Sequence, residues 1–261
     1  MGIFDKIETY LASLPNCLYA PSRNFIENYG SVPIDEDLRE AKHVTPFLRG
    51  DKGLSRKDFN AFYGGNYKIQ LKNPENNEGA WEIFLMNSRR IHGIPPRALS
   101  WMQNIIQYNV PKLPAIVFYH VPHMAYQEIL RNGTARGIYR ERVCFDGEDG
   151  RIHQKFQEMG GIRAAFVGHD HVNDYYADLN GIDVVYGRKS STMGYGGQYR
   201  KTAEQMLAKG GRAIPWGAKL ITLGLNAEIP EKNTLSHKTI LHDLTEWSYP
   251  DNLDILPGLK W

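Results

Sequence analysis

Two short apolar runs, each leading into a histidine, restrict what this chain can fold into more than any other feature. The first is Pro114-Ala115-Ile116-Val117-Phe118-Tyr119-His120. The second is Ala164-Ala165-Phe166-Val167, which continues into Gly168-His169-Asp170-His171. Runs this short, rich in β-branched and aromatic side chains, read as buried strands. Between them the pattern from Arg151 to Met159 predicts a helix stopped by Gly160-Gly161. Upstream, Trp81 to Asn87 reads as a strand, and Pro95-Pro96 precedes a helical pattern on Leu99, Met102, Ile105 and Ile106. Further short strands are expected at Ile182 to Tyr186, Lys219 to Leu225 and Thr239 to Leu244. A first helix is expected from Asp5 to Leu14, ending at Pro15. A long irregular surface excursion follows from Asn16 to about Lys68, and the stretch holding Gly133, Gly137 and Gly147 reads as a loop. The mixture points to an α/β architecture of stacked sheets covered by helices, with its chemistry in loops at strand ends. Nothing resembles a repeat or a low-complexity linker, so residues 1–261 are expected to form a single unit.

Composition narrows the function classes. With 42% hydrophobic residues the chain can supply a core, and its 31 basic and 29 acidic residues nearly cancel. No one-sign field therefore argues for nucleic acid or an anionic membrane. The 2 cysteines, Cys17 and Cys144, exclude a disulfide framework and a cysteine-rich zinc site. No signal peptide or transmembrane segment is expected in the chain as given, which leaves its compartment open.

His120 and His169 each follow a buried strand, and His171 lies two residues beyond. Strand ends are where rigid sites are built, and neutral imidazole is the commonest side-chain ligand for first-row metals. Gly168 is expected to let the backbone turn sharply before the pair. Taken by spacing alone, a His-x-His pair and a distant histidine fit ordinary structural histidines as well as ligands. His43, His92, His153, His237 and His242 read as plain surface residues. His123 is either a packing residue or one facing the mouth of the site. Tyr195 and Tyr199, beside glycines, fit a pocket lining or a turn equally well.

The words around the histidines add to this. Ala165-Phe166-Val167-Gly168-His169-Asp170-His171-Val172-Asn173-Asp174 resembles the last motif of calcineurin-like metallophosphoesterases, Gly-His-x-His after a hydrophobic strand. Ile116 to Pro122 resembles the preceding motif, a strand ending His-x-Pro. Gly181-Ile182-Asp183-Val184-Val185-Tyr186-Gly187-Arg188 and Gly194-Tyr195-Gly196-Gly197 are similar to the purple-acid-phosphatase-like branch. The resemblance runs from roughly Tyr10 to Leu225, leaving residues 226–261 as a C-terminal extension. It implies a β-sandwich flanked by helices (αββα) with a two-metal site of the iron, zinc or manganese class at the strand ends. There a metal-bound hydroxide would attack a phosphate ester. It implies that His120 and His169 bind one ion and His171 the other, and it offers Arg188 as a phosphate contact, since a guanidinium grips phosphate bidentately.

Three earlier motifs of that family, Asp-x-His, Gly-Asp-x-x-Asp and Gly-Asn-His, are not found. Gly50-Asp51 is followed by Lys-Gly-Leu, and Gly65-Asn66 by Tyr67. The N-terminal part of the domain is therefore expected to be missing, with a partner chain or a second copy covering the incomplete core. Three neutral imidazoles offset none of the charge of two divalent ions, so one weakly held ion, or none, is expected. Asp170 is expected to point away from its flanking histidines, and Asp174 remains the nearer carboxylate. Two functions stay open. One is a metal-dependent phosphoric ester hydrolase with an incomplete site, acting on a phosphate ester. The other is a non-catalytic relic or interaction module of the same fold.

Overall fold

The run around Trp81 forms strand β2 (Gly79–Leu85), which pairs antiparallel with β1 (Tyr67–Lys72) and parallel with β3 (Ala115–Phe118). β3 pairs parallel with β5 (Ile162–Val167), and β5 with β7 (Ile182–Tyr186). The four strands β2, β3, β5 and β7 thus run side by side in one direction, so the loops leaving their C-terminal ends share one edge of the sheet. In open α/β sheets that edge is where ligands bind. The computed structural model describes residues 66–88, 93–108, 112–145, 150–190, 214–226 and 229–259, all within the unit Ile34–Trp261. The predicted N-terminal helix and most of the excursion after it lie outside the described residues, as do Cys17, His43, His92, Tyr195 and Tyr199.

The sheet is completed by β6 (Asn173–Leu179), β4 (Arg136–Tyr139) and β11 (Leu253–Ile255), giving eight strands in the order β1-β2-β3-β5-β7-β6-β4-β11. Its two faces follow the alternation of strand side chains. Phe84, Val117, Ala165, Val184 and Tyr175 point to one face and join a core with helices α1 (Pro96–Tyr108), α2 (Ala125–Arg131) and α3 (Arg151–Met159). Pro96 at the first position of α1 fits a fixed φ where an amide has no partner to lose. Against the other face lies a three-stranded sheet of β8 (Gly217–Leu223), β9 (Leu235–Leu241) and β10 (Glu246–Trp247). The two sheets are tied by Trp81 Nε1 donating to the Gly224 carbonyl at 3.1 Å and Asn233 Nδ2 donating to the Ala80 carbonyl at 2.9 Å. This is the expected mixed α/β sandwich, one large sheet and one small sheet with helices packed on the large one.

Several elements depart from the sequence reading. The stretch after His120 is not a loop, because it contains α2 and β4. Gly137 belongs to β4 and has a φ of +127°. A Cβ there would fall 2.2 Å from the Asp174 carbonyl oxygen, so the glycine marks a close strand approach and not a turn. β6 and β1 were not expected, and β1 begins at Tyr67, inside the predicted excursion. β8 and β9 both sit earlier than predicted. Leu244, expected in the second of them, takes a φ of +70° in the turn after β9.

Candidate metal centre

His120 lies two residues beyond the end of β3, and His169 two residues beyond the end of β5. The parallel pairing of those strands brings their exits together. The hydrogen-bond ladder carries on past the strands: Tyr119 N–H donates to Phe166 O at 3.1 Å and Gly168 N–H to His120 O at 3.4 Å. The outcome is a direct meeting of rings. Nδ1 of His169 is 3.0 Å from Nε2 of His120, with the ring planes at 87°. Two nitrogens at this distance either share one N–H or face a common cation. Burial, followed by the neighbouring His169 and His171, lowers the His120 pKa to about 4. Its imidazole is therefore neutral near pH 7, the form that binds metal.

His171 is near enough to contribute to that shift. Among the described residues no group of three or more His, Cys, Asp or Glu is arranged to hold a metal ion. The adjacent carboxylates are committed elsewhere. Asp170 is buried, and its Oδ2 accepts from the Tyr186 hydroxyl and from the Cys144 amide, the latter at 3.1 Å. Its carboxylate is thus engaged by the end of β7 and by the segment before α3, and residues 170–172 form a bend and turn, not the extended backbone assumed for it. Asp174, the nearer carboxylate in the sequence reading, is fully buried and accepts from Arg188 Nε at 2.6 Å, Thr239 Oγ1 at 2.9 Å and the Tyr249 hydroxyl at 3.1 Å. Lys219 is its fourth partner. Burial alone would raise the Asp174 carboxyl, but Lys219 and Arg188 outweigh it and hold the pKa below the usual carboxylate range. Asp174 is a bolt between the two sheets and not a ligand.

Arg188 has its side chain closed to solvent. Its Nη1 donates to Pro215 O at 2.8 Å and its guanidinium lies 4.6 Å from the Trp247 ring centroid. A guanidinium held in this way faces inward, between β7 and the small sheet. Gly168 does not take a left-handed φ, and a Cβ there would meet nothing within 4 Å, so the expected steric need for glycine is absent. The histidines read as surface residues need correction as well. His153 is buried with His123 among Tyr119, Tyr126 and Phe156. His237 is wedged edge-on against Tyr176 and Phe166 where β9 crosses the large sheet. His242 packs on Trp216. For His237 polar surroundings in sequence were a poor guide, because sheet stacking covers residues of β9 whichever neighbours they have. His123 is completely buried and does not face the site.

Two residues to which the sequence reading assigned no part in the site support the histidines. Ser88, just after β2, accepts N–H bonds from His120 and Val121, and the Tyr186 hydroxyl holds Asp170 between His169 and His171.

As a donor set, the pair suits one ion. Two metal–nitrogen bonds of about 2.1 Å place their donors roughly 3.0–3.4 Å apart, which matches the pair. The pair alone does not suit two ions, for which a bridging carboxylate is needed, and the two carboxylates nearest in sequence, Asp170 and Asp174, are bonded to other groups.

No family model matches the chain. Among curated proteins it is similar to three from Arabidopsis thaliana. "Probable inactive purple acid phosphatase 28" is 29% identical over 200 residues, 68% of this chain and 50% of that protein. "Probable inactive purple acid phosphatase 14" is 31% identical over 83 residues, 32% of this chain and 21% of the relative. "Probable inactive purple acid phosphatase 29" is 25% identical over 156 residues, 51% and 40% respectively. The chain spans half the length, or less, of the curated relatives it matches.

Proposed function

Because this chain belongs to the purple-acid-phosphatase-like branch of the calcineurin-like metallophosphoesterases, we propose that it is a non-catalytic member of that branch. In this reading it keeps a half-site, His120 with His169, able to hold one metal ion. The observation that carries the reading is the commitment of the acids beside the histidines. Asp170 is bonded to Tyr186 and Asp174 to Arg188 and Lys219, so neither is free to bridge two ions. The names of the relatives, each a probable inactive phosphatase, agree with it.

An ion bound by the His120 and His169 ring nitrogens would supply Lewis acidity at the sheet edge. Hydrolysis of a phosphate ester also needs a positioned phosphate and a proton donor for the leaving oxygen. Arg188 supports neither role from its buried ion pair.

The test is hydrolysis of an aryl phosphate with manganese, zinc or iron added, comparing wild type with the His169→Ala and His171→Ala variants. Turnover at the level of the variants is expected. Wild-type turnover abolished in both variants would replace this reading with the second one, a metal-dependent phosphoric ester hydrolase. That reading draws on the 3.0 Å His120–His169 contact. It requires the remaining ligands to come from residues outside those described or from a partner chain.

A further inference from the structure

Resting on the reading of His120 and His169 as a metal-holding pair, we propose that Ser88 is the positioning residue of that pair. The β2–β3 ladder ends with Met86 N–H donating to Phe118 O at 2.8 Å. Two residues further along the β2 strand direction, Ser88 is 1% exposed, and its Oγ accepts from His120 N–H at 3.1 Å and Val121 N–H at 2.8 Å. A side-chain hydroxyl thus replaces the backbone carbonyl that a continuing strand would have supplied.

The consequence reaches His169. The two backbone polar groups of His120 are both used: its N–H goes to Ser88, and its C=O accepts from Gly168, the residue immediately before His169. Ser88, His120 and Gly168 therefore form one line of hydrogen bonds across three strand exits. That line fixes the backbone separation on which the 3.0 Å spacing of the ring nitrogens depends. Removing the hydroxyl leaves two N–H groups at the β3 exit without partners, one of them on the buried Val121, and they will move to find others. Sites whose supporting groups are loosened by about 1 Å lose most of their function. Loss of an outer partner of a metal site typically costs about 10- to 100-fold in affinity.

The experiment is a cobalt titration of the full chain, followed by the visible absorption of the bound ion, for wild type, Ser88→Ala, Ser88→Thr and the His120→Ala/His169→Ala double variant. The expected result is a roughly tenfold or greater weakening and an altered spectrum in Ser88→Ala. Ser88→Thr, which keeps the hydroxyl, should restore binding. Wild type and the double variant binding alike would overturn the metal-pair reading and the role of Ser88 with it. Wild type binding through the pair, with Ser88→Ala within twofold of it, would overturn the role of Ser88 alone. Should Ser88→Ala not fold, hydrogen exchange on wild type decides: the His120 and Val121 amides must be protected, and exchange at unprotected rates would sink the proposal.

Discussion

The Nε of Arg188 lies 2.6 Å from Oδ2 of Asp174, and neither side chain has any surface open to solvent. Removing one member of such a pair leaves the other buried with one countercharge fewer. Arg188→Met should therefore destabilise the fold by about 3–5 kcal/mol, with Lys219 left as the remaining basic partner of Asp174. Urea unfolding measures this directly. An arginine whose main work was to contact a phosphate would behave differently: the variant would keep wild-type stability and lose phosphate binding. That outcome would restore the role first expected of it.

The spacing of His120 and His169 leads to a stoichiometry. Purified chain dialysed against zinc should carry one ion or fewer. His120→Ala and His169→Ala should each weaken binding at least tenfold, since either change removes half of the donor set. His171→Ala should leave affinity within about twofold, because the ring nitrogens that meet are those of His120 and His169. Elemental analysis of the dialysed proteins reads all of these. Two ions per chain, one of them lost in His171→Ala, would mean that a fuller set of ligands closes around the strand ends.

β3, β5 and β7 are legible in sequence because most of their positions on both faces are buried, which leaves apolar runs broken only by Arg163 in β5 and Asp183 in β7. β6 and β4 are not, since their inward positions carry Asp174 and Gly137. The polar atoms of the first are satisfied by β8, β9 and the segment after β10, and the second marks a close backbone approach to β6. The same distinction divides the site. A histidine at a strand end can be read from the run before it, and the meeting of His120 with His169 follows from β3 and β5 being neighbours. Whether Asp174 binds metal depends on Arg188, 14 residues away, and Lys219, 45 residues away. Those partners are brought to it only by antiparallel pairing and by the stacking of the second sheet. Ser88 was invisible for a related reason: its role is to receive amides from a strand that lies 32 residues further along the chain.

Tyr186 ends β7 with its hydroxyl on Asp170, accepting the Asp170 N–H at 2.8 Å and donating to the carboxylate. Tyr186→Phe keeps the ring, which packs against Tyr126 and Tyr175, and removes only the oxygen. A loss of about 1–3 kcal/mol is expected from the buried groups left without it. In a double-mutant cycle with Asp170→Asn the two changes should fall short of additive, because they remove the same contact. Thermal unfolding of the four proteins supplies the measurement. Full additivity would mean that the hydroxyl and the carboxylate stabilise the chain independently.

His237 provides a test in acid. Burial, with Lys219 adding to it and Asp174 opposing it, lowers its pKa from 6.5 to about 4, and Asp183 Oδ2 lies 3.9 Å from its Nε2. The unfolded chain takes up a proton near pH 6.5, whereas the folded chain does so only near pH 4. Between those values the unfolded state binds more protons. Stability is therefore fully present above about pH 6.5 and falls as the pH drops toward 4. For this one residue the loss approaches roughly 3 kcal/mol. Other histidines with lowered values, His123 and His153 among them, add to the total slope, so the contribution of His237 has to be isolated. Urea unfolding of wild type and His237→Gln at pH 7 and pH 4.5 does so. The variant should lose about 2–3 kcal/mol less than wild type over that interval. Equal losses in the two proteins would mean that His237 takes up its proton in the folded state as readily as in the unfolded one, and that the crossing of β9 over the large sheet admits water.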